Sequence, residues 1–500
     1  MYIKRVMSSM YYPDKKEFIA LSKKGNVIPV YREILADFDT PLSAFLKIDE
    51  GSFSYLLESV EGGEHMGRYS FLGSRPSLVI ESKDKTISIR RGDEVETFQT
   101  EDDPIKEIKR IMDKFRFVKV KGLPRFSGGL VGYMGYDMVR FIENIPDENA
   151  EDFDIPDMQF VLTDTILIFD HVDHKIKVVS NAMVEESAEE AYQTACGKID
   201  RIMEKLKAPV KAPEEKNKQL NKSEVESNFS KNGFCAIVEK AKEYIRSGEV
   251  IQLVLSQRLK RRTEADAFSL YRSLRSINPS PYMYYLKFGD YRIVGSSPEI
   301  LVRCEDDVVE VRPIAGTRKR GATEEEDAAL EKELLADPKE EAEHIMLVDL
   351  GRNDIGRVCE YSSVKTRELM HIERYSHVMH IVSDVAGRLR KDKDIYDLIK
   401  ATFPAGTVTG APKVRAMELI DGLENVRRGP YAGCVGYISF SGNIDMCITI
   451  RTIVMDGDTA YIQAGAGIVL DSNAEREYQE TLDKAMAMMK AIEDAERKEG

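Results

Sequence analysis

Two pairs of glutamates, each spaced three residues apart, carry the strongest chemical signal in the chain. Glu340 and Glu343 stand in KEEAEHIMLVDLGRND, and Glu477 and Glu480 stand in AEREYQETLDKAM. Residues three apart share a helix face. Two such faces turned toward one another would set four carboxylates around one point. Carboxylates that close repel unless a proton or a cation lies between them. A hard divalent ion is the natural solution, because Mg²⁺ takes a few carboxylates and completes its shell with water and substrate oxygens. Either pair alone reads equally well as a solvated helix face, since Glu is a good surface helix former. What lifts them is their setting among core-type residues: Ile345, Met346 and Leu347 after one pair, Ala485, Met486 and Met488 after the other.

Three further features could handle an anion or a proton. AGAGIVLDS (464–472) is expected to be a loop between the strand TAYIQ and the last helix. There Gly465 and Gly467 would let backbone N–H groups approach a carboxylate or phosphate unobstructed, with a plain tight turn as the competing reading. FPAGTVTGAPK (403–413) brings hydroxyls and N–H groups to the start of a helix. Neither string is the G-x-G-x-x-G dinucleotide pattern or a Walker GK[ST], so nucleotide phosphate is not implied. Arg451, in the alternating strand CITIRTIV, either faces solvent or points into a pocket, where a guanidinium grips a carboxylate with two hydrogen bonds. Strand alternation puts His380 on one face with Val378, Val382 and Asp384. It is a core or edge residue or, if functional, a proton-transfer group; no E-x-x-H or H-E-x-x-H surrounds it.

The elements that must position these groups fall on two sides of a polar stretch, 207–230, KAPVKAPEEKNKQLNKSEVESNFS. We place a linker there, between an N-terminal region 1–206 and a region 231–500. In the first, short alternating runs (SLVIES, KTISIRR, ILIFDHVDHKIKVVS) predict antiparallel strands, with helices at 103–115 and 185–206. The second opens with a helix marked by Phe234, Ile237, Val238, Ala241 and Ile245 and stopped by Gly248. Strands are predicted at 250–260, 282–288, 291–295 and 300–312, and helices at 323–352, broken near Asp337-Pro338, and at 474–497. Strands and helices come in groups rather than in strict alternation, which means α+β with antiparallel sheets. GLVGY (129–133) echoes GCVGY (433–437) and suggests two sheets of related design.

Composition sets the outer limits. Lys+Arg 72 against Asp+Glu 86 in 500 residues gives a net charge of −14. That argues against a nucleic-acid binder, which needs a basic face, but leaves room for a local cationic pocket. No apolar run approaches the ~18 residues of a membrane span. The opening MYIKRVMSSMYYP lacks an apolar core of signal-peptide length. Six scattered cysteines without a C-x-x-C pair exclude a thiolate zinc framework and give no disulfide scaffold. A cytoplasmic protein is expected.

Taken in order, PIAGTRKRG (313–321), EAEHIMLVDLGRND (341–354), YSHVMHIVSDVAG (375–387), FPAGTVTGAPK, CITIRT (447–452) and AGAGIVLDS with EREYQET resemble the chorismate-utilising enzymes. YLLESVEGGEHMGRYSFLG (55–73) resembles the regulatory N-terminal region of the members that form anthranilate and begin tryptophan biosynthesis. The resemblance implies antiparallel sheets packed as a sandwich with helices outside. It implies Mg²⁺ on Glu343 and Glu480, with Glu340 and Glu477 behind them through water. It implies Arg451 and Tyr431 on the enolpyruvyl side of chorismate, a carboxylate cradle from Gly465, Ala466 and Gly467, and Gly316, Thr317 and Thr407 lining the same pocket. Glu299 in SSPEIL would protonate the leaving hydroxyl, and His380 would serve the elimination of pyruvate as base or as orienting group. Ala315 stands where the aminodeoxychorismate-forming members commonly carry a nucleophilic Lys. Gln252 stands where the water-using members carry a Lys base. A neutral amide cannot deprotonate water, whereas ammonia needs no activation. The same resemblance implies feedback by tryptophan at Ser59, Asn278, Pro281, Tyr282 and Met283, with Pro41 a weaker match, and Tyr284 where a Phe is common. Ammonia from glutamine would come from a glutamine amidotransferase partner, making a hetero-oligomer. Two other readings stay open: formation of aminodeoxychorismate without the Lys, and a tryptophan sensor whose chemistry has decayed.

Overall fold

The computed structural model describes residues 11–60, 67–152, 154–210, 224–375 and 378–499. The opening MYIKRVMSSM, the centre of the 55–73 string, His377 and 211–223 of the polar stretch lie outside the described residues.

Two twelve-stranded antiparallel sheets carry the fold. One runs from Val27–Leu35 through Phe53–Glu58, Tyr282–Phe288, Tyr291–Ser297, Thr452–Asp456 and Thr459–Ile468 to Gln252–Arg262 and Glu226–Ser227. The other runs from Ile314–Lys319 and Val378–Arg388 through Ile300–Glu305, Ile444–Ile448, Cys434–Ser439 and Gly129–Met134 to Glu94–Gln99. Both sequence regions supply strands to both sheets. Phe53–Glu58 pairs with Tyr282–Phe288, and Gly129–Met134 pairs with Cys434–Ser439.

That second pairing corrects the reading of the GLVGY echo. The two strings do not mark corresponding places in two sheets; they are neighbours in one. Gly132 faces Gly436 across the pair. A Cβ on Gly132 would lie 2.0 Å from the Gln159 carbonyl and one on Gly436 2.0 Å from the Asp445 carbonyl, so close packing against the next strand on either side requires both glycines.

Between the sheets lies an aromatic-rich interior that includes Tyr55, Phe71, Phe126, Tyr133, Tyr284, Phe288, Tyr291 and Tyr437. Helices cover the outer faces. Pro41–Ile48, Ala188–Lys207, Ala267–Ile277 and Ala474–Glu499 pack on one, and Pro104–Met112, Ile395–Thr402 and part of Pro338–Gly356 on the other. This is the sandwich with external helices.

Local signals account for most element ends. The Lys231–Arg246 helix buries Phe234, Val238 and Ala241 and is followed by Gly248 at φ +81°. The 323–352 prediction resolves into Glu324–Leu335 and Pro338–Gly356, separated where Asp337 caps the second helix by accepting from the Lys339 and Glu340 N–H groups. The single strand expected over 300–312 is instead a hairpin, Ile300–Glu305 and Val308–Val311, because Asp306 and Asp307 both take positive φ at the turn. Among the described residues no helix is long and apolar enough to cross a membrane.

Candidate functional site

Both glutamate pairs lie on helices, and the same lysine charges reach Glu343 on one and Glu477 on the other. Burial raises the Glu343 carboxyl above the usual range, and Glu340 raises it further. Burial and Glu480 do the same to Glu477. Two ammonium groups serve both helices: Lys339 and Lys484 each oppose the rise at Glu343 and Glu477, and Glu299 feels Lys484. The Lys484 Nζ lies 2.7 Å from Glu480 Oε1 and donates to the Gly465 carbonyl at 3.0 Å. The Gln252 amide approaches Glu343 at 3.5 Å.

Among the described residues, no three His, Cys, Asp or Glu side chains close into a metal cage. The donors fit a different kind of site. Glu343 is largely withdrawn from solvent, and among the described residues its one hydrogen-bond partner is the Gln252 amide at 3.5 Å; Glu480 stands on the other helix. Two carboxylates with space left for water and substrate oxygens suit Mg²⁺, which rarely sits in an all-protein cage.

The histidine and the glycines around it are placed by a strand irregularity. Ile314–Lys319 pairs with Val378–Arg388, and the register shifts between Ala315 and Thr317. Gly316 is the extra residue, at φ +68°, the left-handed region that glycine tolerates. The bulge turns the Gly316 carbonyl to His380 Nδ1 at 3.1 Å, with Thr317 Oγ1 at 3.0 Å. A carbonyl only accepts, so Nδ1 carries the proton and Nε2 keeps its lone pair. Burial lowers the imidazole pKa and Arg451 lowers it further, against the Gly316 bond. His380 is therefore a neutral base candidate at pH 7.

The expected glycine loop is not a loop. Thr459–Ile468 is one continuous strand, with Gly465, Ala466 and Gly467 opposite Ser256, Leu255 and Val254. Pairing on its other edge stops at Ile462, so peptide groups beyond it lack a strand partner there. The glycines are needed for space: a Cβ on Gly465 would lie 2.6 Å from the Tyr431 hydroxyl, and one on Gly467 2.5 Å from the Gln252 amide nitrogen.

Arg451 is aimed inward. Its pKa is lowered by burial, with Tyr431 and Glu480 opposing. Among the described residues no carboxylate lies within ion-pair distance of its guanidinium. Glu299 is buried, and its carboxyl is pushed from 4.5 up to about 7 by loss of water. Thr407 sits in the short 3₁₀ turn Gly406–Val408 and opposes that rise, without reaching full hydrogen-bond geometry.

A family model described as chorismate binding enzyme matches residues 54–490. The chain is 54% identical over 492 residues to anthranilate synthase component 1 of Acetivibrio thermocellus, covering 97% of this chain and 99% of that one. Against anthranilate synthase component 1 of Aquifex aeolicus it is 53% identical over 490 residues, with 96% and 98% covered. The chain belongs to the chorismate-utilising enzymes. Within that family it falls with the anthranilate synthase component 1 chains. The crystal structure of anthranilate synthase component I from Streptococcus pneumoniae superposes with a TM-score of 0.76 at 38% identity, covering 91% of this chain and 98% of that one. The menaquinone-specific isochorismate synthase of Escherichia coli, at 19% identity and TM-score 0.70, shares the fold.

A second site lies apart from these residues. A cavity of about 540 Å³ is lined by Ser59, Pro281, Tyr282, Met283 and Tyr284 together with Glu58, and by none of the chorismate or metal candidates. Among the described residues the buried Ser59 hydroxyl has no hydrogen-bond partner, and a polar ligand would satisfy it. Two expected contributors do not line it. Pro41 is the first residue of the Pro41–Ile48 helix, held there by the Thr40 capping box. Asn278 ends the Ala267–Ile277 helix and turns its amide to Ser296 Oγ at 2.8 Å.

Sequence reasoning missed Lys484 and Arg428. Lys484 follows Glu480 by four residues, a spacing that reads as an ordinary exposed helix pair. Arg428 is buried, ion-paired to Glu424 at 2.6 Å, and stacks on the Tyr431 ring at 5.6 Å. It backs the ring of Tyr431, a candidate chorismate contact, and nothing in NVRRGPY signals that.

Proposed function

We propose that this enzyme converts chorismate and ammonia to anthranilate and pyruvate, as the Mg²⁺-dependent lyase that begins tryptophan biosynthesis in the cytoplasm. The observation that carries the reading is the Arg451 guanidinium, largely withdrawn from solvent and with no carboxylate within ion-pair distance among the described residues, set beside Tyr431, Glu480 and His380. A buried cation left unpaired is costly unless a ligand anion completes it, and chorismate brings two carboxylates.

Each residue then has a task. Arg451 grips the enolpyruvyl carboxylate with Tyr431 against it. The Gly465–Gly467 edge cradles a carboxylate, and Lys484 adds a positive charge there. Glu343 and Glu480 hold Mg²⁺, with Glu340 and Glu477 behind them; bound Mg²⁺ would polarise the ring carboxylate. Ammonia adds at C2 with its own lone pair, past Gln252, which cannot serve as a base for water. Glu299, whose acid form is favoured by burial, gives its proton to the departing ring hydroxyl, which leaves as water. Thr407, Gly316 and Thr317 line that pocket. His380 Nε2 takes the C2 proton as the enolpyruvyl group leaves, giving pyruvate and an aromatic ring.

Tryptophan is the inhibitor we assign to the 540 Å³ cavity. The cysteines offer no glutaminase: all six are free, and Cys304, Cys359, Cys434 and Cys447 are buried, with burial raising the Cys359 and Cys434 thiols to about 11 and about 12. A nucleophilic cysteine needs the opposite shift. Glutamine nitrogen must therefore arrive through an amidotransferase subunit. The test is chorismate with ammonium and Mg²⁺. A fluorescent aromatic amine supports the reading, and an aminated, non-aromatic ring would assign the chain to aminodeoxychorismate formation instead.

A further inference from the structure

We infer that the Tyr284 hydroxyl is a positioning group, which reaches across Gly295 to brace the backbone turn that carries Arg451 and so ties the wall of the tryptophan cavity to the chorismate-binding guanidinium. The inference rests on the reading of Arg451 as the chorismate contact.

Three neighbouring strands define the geometry. Tyr284 is the register partner of Gly295, and Gly295 is the register partner of Thr452 on the strand beyond. The tyrosine ring lies over the glycine between them: a Cβ at 295 would fall 2.1 Å from ring carbons and 2.4 Å from the hydroxyl of Tyr284. No residue with a side chain fits under that ring. Thus placed, the hydroxyl meets Thr452 Oγ1 at 2.6 Å. Thr452 donates its single proton to the Ile450 carbonyl at 2.9 Å, so it accepts from Tyr284. The bonded chain Tyr284–Thr452–Ile450 closes around residue 451.

Arg451 needs such closure. Its φ is +52°, a conformation that residues other than glycine hold only when their surroundings enforce it. The other hold on the turn is the Ser296 N–H, which donates to the Arg451 carbonyl at 3.1 Å. Ser296 is the register partner of Met283. One brace therefore begins on Tyr284 and the other on the strand partner of Met283, and both Met283 and Tyr284 line the cavity. A ligand that shifts this strand moves the turn and with it the guanidinium, and a displacement of about 1 Å at a positioning group can cost about a hundredfold in rate.

The test removes one oxygen. Tyr284→Phe keeps the ring over Gly295, and Thr452→Val removes the other end of the bond. We expect each to raise the KM for chorismate by about fivefold, the scale of one lost hydrogen bond, and by more than kcat falls. In each, the factor by which saturating tryptophan weakens chorismate binding should shrink. The double variant should be no worse than the worse single one, because both remove the same bond. Thr452→Ser, which keeps the hydroxyl, should behave as the unaltered chain. Folded single variants with unmoved KM and coupling overturn the inference, even if their Tm falls. Additive effects in the double variant overturn it too. If the unaltered chain does not bind chorismate, the functional reading itself fails, and the inference falls with it.

Discussion

Replacing Glu299 by Gln keeps the size and shape of the side chain and removes its proton. The Glu299 carboxyl is buried and raised from 4.5 to about 7. At pH 7 about half of it is protonated, against about one part in three hundred at the unperturbed value. Burial thus enlarges the acid form roughly 150-fold where it is needed. Loss of a general acid should lower kcat by about 10²–10⁴. The pH dependence has a definite sign. The acid form is lost above about pH 7, so kcat of the unaltered chain should fall on the alkaline side. Free NH₃ rises over the same range, so rates must be compared at constant free NH₃. The alkaline limb should be absent in the variant. Stability supplies an independent readout. A carboxyl with a raised folded pKa binds more protons folded than unfolded between 4.5 and about 7. Its contribution to stability therefore declines as pH rises through that window and is flat above it. The shift is worth about 3 kcal/mol, so the Gln variant should gain about that much relative to the unaltered chain between pH 4.5 and pH 7.5. A Gln variant with kcat within threefold of the original and the same alkaline limb would refute the acid role.

Three further outcomes are expected. Glu480→Gln should raise the Mg²⁺ concentration for half-maximal rate and cut activity by orders of magnitude, with little change in Tm because this side chain is half exposed; an unchanged Mg²⁺ dependence would remove Glu480 from the ligand set. Ser59→Phe should fill the cavity and abolish tryptophan inhibition while uninhibited turnover stays near normal. The chain contains no Trp, so the fluorescence of added tryptophan reports its binding directly, and lost catalysis with retained inhibition would contradict a separate site. The chain alone should use ammonium salts, faster at neutral than at acid pH as free NH₃ rises, and should use glutamine only when an amidotransferase is added. Glutamine-dependent synthesis by the chain alone, free of contaminating ammonia, would reveal a hidden glutaminase.

Local physics was legible in the sequence, and long-range geometry was not. Helix ends followed from capping residues and glycines, as at Asp337-Pro338 and Gly248, because the donors and acceptors lie within a few residues of one another. One strand partner of GLVGY, Cys434–Ser439, lies some three hundred residues away, and the likeness of the two strings does not say that they pair. The E-x-x-E pairs are visible because helix periodicity puts each pair on one face, but which charges each face meets is decided by folding. Roles for Glu299, Arg451 and His380 came from the resemblance, since a lone Glu, Arg or His on a strand reads as surface or core. Lys484 was invisible for the same reason. The glycines at 465 and 467 were noticed for loop freedom, whereas the space taken by Tyr431 and Gln252 is what requires them.

The central claim, amination followed by loss of the enolpyruvyl group, is tested most directly by counting pyruvate. Purified chain is incubated with chorismate, Mg²⁺ and ammonium as the only nitrogen source, and pyruvate is measured against chorismate consumed. One pyruvate is expected per chorismate, with anthranilate in equal amount and neither product when ammonium is left out. Chorismate consumed without pyruvate, or pyruvate released with no nitrogen in the aromatic product, would contradict the claim.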